Sequence, residues 1–176
     1  MYGDLEQLED GRWRLRFTRT LPHPPEKVWR AVTEPAHLAR WFPTTIEGER
    51  AAGARLRFAF PAGQLPAFEG EMTAYEPPSL MELRWGPDLL RLELRAVEQG
   101  TELTLLDTLE ALGKAARDGT GWHTCLDALE GSLQDRQDAR ESLGRWEELH
   151  PHYVERFGAS AATIDVPEEV KRAAGG

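Results

Sequence analysis

Between Arg12 and Thr20 apolar and polar residues alternate, with Trp13, Leu15 and Phe17 on one face and Arg12, Arg14, Arg16 and Thr18 on the other. That is the period of a half-buried strand. The next stretch, "PPEKVWRAVTEPAHLARWF" (residues 24–42), changes period. Val28, Trp29 and Val32 fall at i, i+1 and i+4, and Leu38, Trp41 and Phe42 at i, i+3 and i+4, so the spacing predicts two short helices, each with one apolar face. Pro24 and Pro25 suit a first helical turn, and Pro35 and Pro43 stop what precedes them.

Alternation then returns in runs separated by Gly and Pro. "GARLRFAF" sets Leu56, Phe58 and Phe60 against Arg55 and Arg57, and "AFEGEMTAYEPP" sets Phe68, Met72 and Ala74 against Glu69, Glu71 and Thr73. After the turn at "PPSL", "LMELRW" opposes Met81, Leu83 and Trp85 to Glu82 and Arg84. "LLRLELRAVE" opposes Leu90, Leu92 and Leu94 to Arg91, Glu93 and Arg95, and "EQGTE" makes a hairpin connection to "LTLLDTLEAL". Strands apolar on one side and charged on the other predict an antiparallel sheet with one solvated face. From about Lys114 to Asp138 the period becomes helical, with Trp122, Cys125, Leu126, Leu129 and Leu133 in one stripe. "SLGRWEELHPHYVERFG" adds a shorter element anchored by Leu143, Trp146, Tyr153 and Phe157 and broken at Pro151. The order is strand, two short helices, about six strands and a long helix. Such a sheet exceeds what its helix needs for cover, so it curls around the helix and encloses a space.

Length and charge narrow the function classes. A chain of 176 residues suits one domain and a tail. The 21 basic residues are dispersed among 30 acidic ones, for a net charge of -9, which argues against a nucleic-acid or anionic-membrane footprint. Cys125 is the only cysteine, so no intramolecular disulfide forms. The opening "MYGDLEQLEDGRWRLRF" has acids where a signal peptide needs a basic head and an apolar stretch, and no apolar run reaches membrane-spanning length. These features predict a cytoplasmic protein without membrane insertion. Monomer and homodimer both remain open.

Taken in order, "P-x-x-V-W-x-A-x-T-x-P-x-x-L-x-x-W-F", "GARLRF", "F-E-G-E", "E-P-P-x-x-M-E-L-R-W", "G-T-E-L-T-L" and "G-W-x-x-C-L-D-A-L" resemble the START-like (SRPBCC) superfamily. More narrowly, they look like its bacterial branch similar to the C-terminal domain of the heat-shock chaperone ATPase activator. The resemblance covers roughly residues 12–135, and the tail pattern "W-E-E-L-x-x-x-Y-x-x-x-F-G" also occurs in relatives. It implies an α+β helix-grip fold: a curved antiparallel β-sheet wrapped around a long C-terminal α-helix, with the two short helices after strand 1 closing one end of a hydrophobic cavity. On this reading residues 1–140 form the START-like domain, 141–158 a helical extension packed on it, and 159–176 a flexible tail. The fold serves lipid and sterol carriers, plant pathogenesis-related proteins and polyketide cyclases, so it does not choose a function. Relatives often carry His in an "L-T-L-T-H" phrase where this chain has Asp107.

The inward parity of the strands collects Phe58, Phe60, Met72, Met81, Trp85, Leu92 and Leu105. Trp41 and Phe42 join them from the second short helix, and Trp122, Leu126 and Leu129 from the long one. Apolar walls with a few polar groups are how small-molecule sites are built; the competing account is that these residues simply fill the core. Asp107 shares the inward parity of Leu103, Leu105 and Leu109. A buried carboxylate must be paired, protonated or functional, which makes Asp107 a candidate for ligand binding or for acid/base work. His123 and Asp127 are spaced as a solvated helix pair. The two histidines of "HPHY" lack a third ligand at metal spacing, and Cys125 reads as an inert core thiol. No nucleophile elbow, P-loop, G-x-G-x-x-G or C-x-x-C occurs. No metal or cofactor is expected.

The expected function is therefore binding of a hydrophobic or aromatic small molecule between sheet and long helix, more in keeping with a carrier than an enzyme. One alternative is a polyketide cyclase or aromatase-like enzyme using Asp107 as acid/base. Another is an interaction module for a chaperone or regulatory protein partner. Trp29 is expected to anchor the first short helix, and Trp41 and Phe42 to form the lip of the cavity.

Overall fold

The computed structural model describes residues 1–136 and 145–167. Seven strands form one curved antiparallel sheet: β1 (Asp4–Gln7), β2 (Trp13–Leu21), β3 (Arg55–Phe58), β4 (Phe68–Glu76), β5 (Leu80–Trp85), β6 (Asp88–Val97) and β7 (Gly100–Leu109). Their spatial order is β1-β2-β7-β6-β5-β4-β3. Two short helices, α1 (Pro25–Thr33) and α2 (Pro35–Leu38), join β2 to β3. The long helix α3 (Ala115–Leu133) covers the inner face, and α4 (Trp146–Phe157) packs against α3. Leu15, Phe17, Leu103, Leu105, Leu92, Met81 and Met72 face Leu126 and Leu129 of α3 in one buried core. The outer face carries charge pairs such as Arg91 with Glu82 and Glu93, and Arg95 with Glu102. This is the expected helix-grip architecture.

One strand precedes the short helices at an unexpected place, and five follow them rather than six. β1, with the sequence DLEQ, offers a single apolar residue, Leu5, too little for a period to show. It is held at the sheet edge by pairing with β2, Leu5 opposite Leu15. Helix α3 ends at Leu133; the expected end at Asp138, the anchor Leu143 and the boundary at 140 lie outside the described residues. Helix α4 continues through Pro151, which was expected to break it. A proline there deprives only the Glu147 carbonyl of its helical donor, and Glu147 is exposed, where water can serve instead. Buried Leu149 and Tyr153 on either side hold the helix down. Beyond α4, Ala159–Ala161 make a 3-10 turn with Ala161 buried, and Ile164 N–H donates to the Gly113 carbonyl at 2.9 Å.

The register of β4 departs from simple alternation. Met72 pairs with Leu83, but Ala74 pairs with Glu82 and Tyr75 with Met81, so Thr73 is the extra residue of a β-bulge. The bulge reverses parity: Tyr75, not Ala74, shares the inward side with Met72. Thr73 instead donates its hydroxyl to Glu82 Oε1 at 2.9 Å on the other face.

Prolines shape the corner of α1 and α2. Pro25 opens α1, and Glu34, extended because Pro35 follows it, ends α1 and caps α2 at once. Pro35 has no N–H, so the Ala31 carbonyl, four residues earlier, is left without its helical donor. The fully buried Trp41 supplies one: its indole Nε1–H donates to Ala31 O at 2.9 Å. Trp41 is thus an anchor of the fold, not a lip. Trp41→Ala is expected to cost about 3–5 kcal/mol of stability, measured by chemical denaturation; a loss below about 1 kcal/mol would contradict this placement.

Candidate functional site

A pocket of about 590 Å³, open to solvent on one side, lies between α1–α2, the segment 44–50 and the end of β4. Its lining is mostly apolar: Trp29, Leu38, Phe42, Ile46 and Pro61, with Tyr75 brought in by the bulge. Trp29 and Tyr75 meet at 5.5 Å between ring centroids. Arg50 and Thr44 supply polar groups. The Arg50 guanidinium caps the C-terminus of α1, with Nε donating to Thr33 O at 3.0 Å and Nη1 to Gly48 O at 3.1 Å. A cation at a helix C-terminus also suits the helix dipole. Burial lowers the Arg50 pKa.

Of the residues expected to line a cavity, only Phe42 borders this pocket. Trp41, Phe58, Met72, Met81, Leu92, Leu105, Leu126 and Leu129 are buried in the core, and Trp122 is nearly so. Phe60 lies just past the end of β3, half-buried against Phe68. The expected space between sheet and α3 holds aromatic rings. Phe42 packs on Trp85 at 5.1 Å and on Trp122 at 5.7 Å, and Phe58 reaches Trp85 at 5.0 Å. Of the two tryptophans of the opening motif, Trp41 is enclosed where a lip was expected, while Trp29 is buried in the core as an anchor should be and also borders the pocket. Sequence reasoning missed Tyr75, Arg50 and Thr44. The bulge hid the first; the others lie in an irregular segment with no period to betray them.

Asp107 is fully buried, as its parity predicted. Trp122 Nε1–H donates to its Oδ2 at 2.8 Å, and its Oδ1 has no partner. Burial raises its pKa well above the ordinary value, and nearby Asp88 and Asp118 add to the rise. Both effects favour the protonated acid. Oxygens of Asp88, Asp107 and Asp118 lie within 4.8 Å of one another, close enough for a cation to bridge. Lys114 already meets that need: its Nζ sits 2.6 Å from Asp88 Oδ2 and 3.9 Å from Asp118. Asp88 Oδ1 accepts the Glu110 N–H at 2.8 Å. With Arg117 Nε 2.7 Å from Asp118 Oδ1 and the protonated form of Asp107 favoured, the cluster reads as a charge-balanced joint between β6, β7 and the start of α3.

Residues 22–134 match the family model described as "Activator of Hsp90 ATPase homolog 1-like protein". The chain belongs to that family. No curated protein matches it. Among solved structures, EF2215 from Enterococcus faecalis is similar at a TM-score of 0.73 and 21% identity, over 88% of this chain and 89% of that one. CalU16 from Micromonospora echinospora is similar at 0.68 and 20%, over 88% and 95%. An AHSA1-like protein from Aeromonas hydrophila gives 0.56 and 17%, over 69% and 92%. At such identities the likeness establishes the fold. No helix among the described residues is long and apolar enough to cross a membrane.

Within this AHSA1-like fold, His123 is buried rather than solvated, because α4 and the N-terminus cover it. Gly3 N–H donates to Tyr153 Oη at 3.0 Å, and that hydroxyl lies 2.8 Å from His123 Nδ1. With the hydroxyl donating to Nδ1, the imidazole carries its proton on Nε2, facing Asp127 Oδ2 at 3.5 Å. The histidines of "HPHY" are spent on stacking, His152 on Tyr2 and His150 on Trp146. Burial lowers the His123 pKa from 6.5 to about 4, against the pull of Asp127 and with help from Arg19, the N-terminus and Arg145. Between those values the unfolded chain binds more protons, so the neutral imidazole's contribution is complete above about pH 6.5 and declines toward pH 4. His123→Gln keeps an acceptor for Tyr153 without titrating. The native chain should lose more stability than this variant between pH 7.5 and 4.5 in chemical denaturation; parallel pH profiles would contradict it.

Proposed function

We propose that the chain binds a hydrophobic or aromatic small molecule in the lateral pocket beside α1 and α2, as a carrier rather than a catalyst. The observation that carries this reading is a preformed recess of about 590 Å³ with a mostly apolar lining, within the size range of small-molecule sites. Trp29 and Tyr75 form an angled aromatic wall, with planes 40° apart, against which a flat ring can lie. The location differs from the sheet-to-helix space expected at first, because that space holds the Phe42, Trp85 and Trp122 rings.

The acid/base alternative has less support. Asp107 borders no part of this recess, and its carboxyl is tied to Trp122 inside the core. A proton donor must reach its substrate within hydrogen-bond distance.

Ala39 gives a clean test, since it is exposed yet lines the pocket. Ala39→Trp should fill the recess with little change in stability and lower affinity for a neutral naphthalene probe, such as 2-naphthaleneethanol, by at least about tenfold. Isothermal titration calorimetry on the full chain reads this directly. Unchanged affinity would remove the pocket from consideration.

A further inference from the structure

Arg50 has spent two of its three nitrogens on the protein itself, Nε on Thr33 O and Nη1 on Gly48 O. Its Nη2 is buried and has no hydrogen-bond partner. Thr44, 1% exposed, likewise has a buried hydroxyl with no partner. Both residues line the same recess. A buried donor left unpaired is costly, and more so when it is charged, and two of them belong to residues that border one mostly apolar pocket. The acids of the lining do not accept from these donors. Glu47 is exposed and paired with Arg57 at 2.9 Å, and Glu34 is exposed beside His37 at 3.5 Å. The Thr33 hydroxyl is used on Trp29 O at 2.7 Å.

We infer that the ligand of this pocket is an amphipathic monocarboxylate, its apolar body against Trp29, Ile46 and Tyr75 and its carboxylate received by Arg50 and Thr44. This rests on the lateral-pocket reading and adds the ligand's chemical class. A carboxylate offers two oxygens and one negative charge, matching the one unpaired guanidinium nitrogen and the one unpaired hydroxyl. Arg30 also borders the recess, but it is exposed and its charge is solvated by water. A neutral alcohol would leave the guanidinium charge unbalanced. A phosphate dianion would bring a second charge for which the buried part of the recess has no cation, the other lining arginine, Arg30, being exposed.

The test compares ligands sharing one ring: 2-naphthylacetic acid, 2-naphthaleneethanol and 2-naphthylmethyl phosphate, titrated calorimetrically into the full chain at pH 7.5. The native chain should bind the acid at least about tenfold more tightly than the alcohol. Arg50→Gln should bring the acid down to the alcohol's affinity while the alcohol's own affinity stays within about twofold. Arg50→Lys, which keeps the charge but loses the fork, should recover only part of the preference. Thr44→Val, nearly isosteric, should reduce the preference without touching the α1 cap. If Arg50→Gln does not fold, as a melting curve would show, Thr44→Val decides, and an unchanged preference there overturns the inference. Equal affinity of the native chain for acid and alcohol would overturn the carboxylate while leaving the pocket standing. Tighter phosphate binding would overturn the ligand class, and binding of none of the three would overturn both readings.

Discussion

The indole of Trp41 donating to the Ala31 carbonyl is the contact on which the working part of this molecule depends. A nine-residue helix followed by a single turn cannot stand alone in water. The proline that starts the second helix also strips the first of a donor. By answering that deficit from inside the core, Trp41 locks the corner between α1 and α2, and Arg50 closes the same helix end from the other side through Thr33. The corner so fixed forms one wall of the pocket. Tyr75, swung inward by the bulge at Thr73, forms another.

Around this corner the fold uses buried polar groups as joints between elements. Arg19 points inward from β2 and pairs with Glu130 of α3 at 2.9 Å. Lys114 joins the start of α3 to Asp88 of β6, and His123 and Tyr153 bind α3 to α4 and the N-terminus. Each joint spans elements that apolar packing alone would leave free to slide, and each would be costly to break on one side only. The aromatic rings between sheet and α3 complete this rigid frame. The open recess therefore lies at the side of the molecule.

Much of this was legible in the chain. Alternation gave the faces of β2 and β5 through β7, helical period gave the stripe of α3, and the ordered motifs pointed to the helix-grip arrangement. What was not legible has physical reasons. The inward parity of β4 held only as far as Met72, since a bulge leaves the composition of a strand unchanged while reversing its faces. Trp29 and Trp41 sit on similar apolar faces in sequence and both are buried, and only the missing N–H of Pro35 distinguishes the one that is fully enclosed. His123 lies beside the apolar stripe of α3, and its burial depends on α4 and residues 1–3 arriving from distant parts of the chain. Arg50 and Thr44 occupy an irregular segment, which has no period to place them.

The central claim is that the sheet-to-helix space is a filled core and that ligands enter at the side. Two-dimensional NMR of the indole N–H signals, with 2-naphthaleneethanol added, tests it most directly. The account predicts a shifted Trp29 signal with Trp41 and Trp122 unmoved. Shifts at Trp122 and Trp85 with Trp29 unchanged would contradict it and return the binding site to the space under α3.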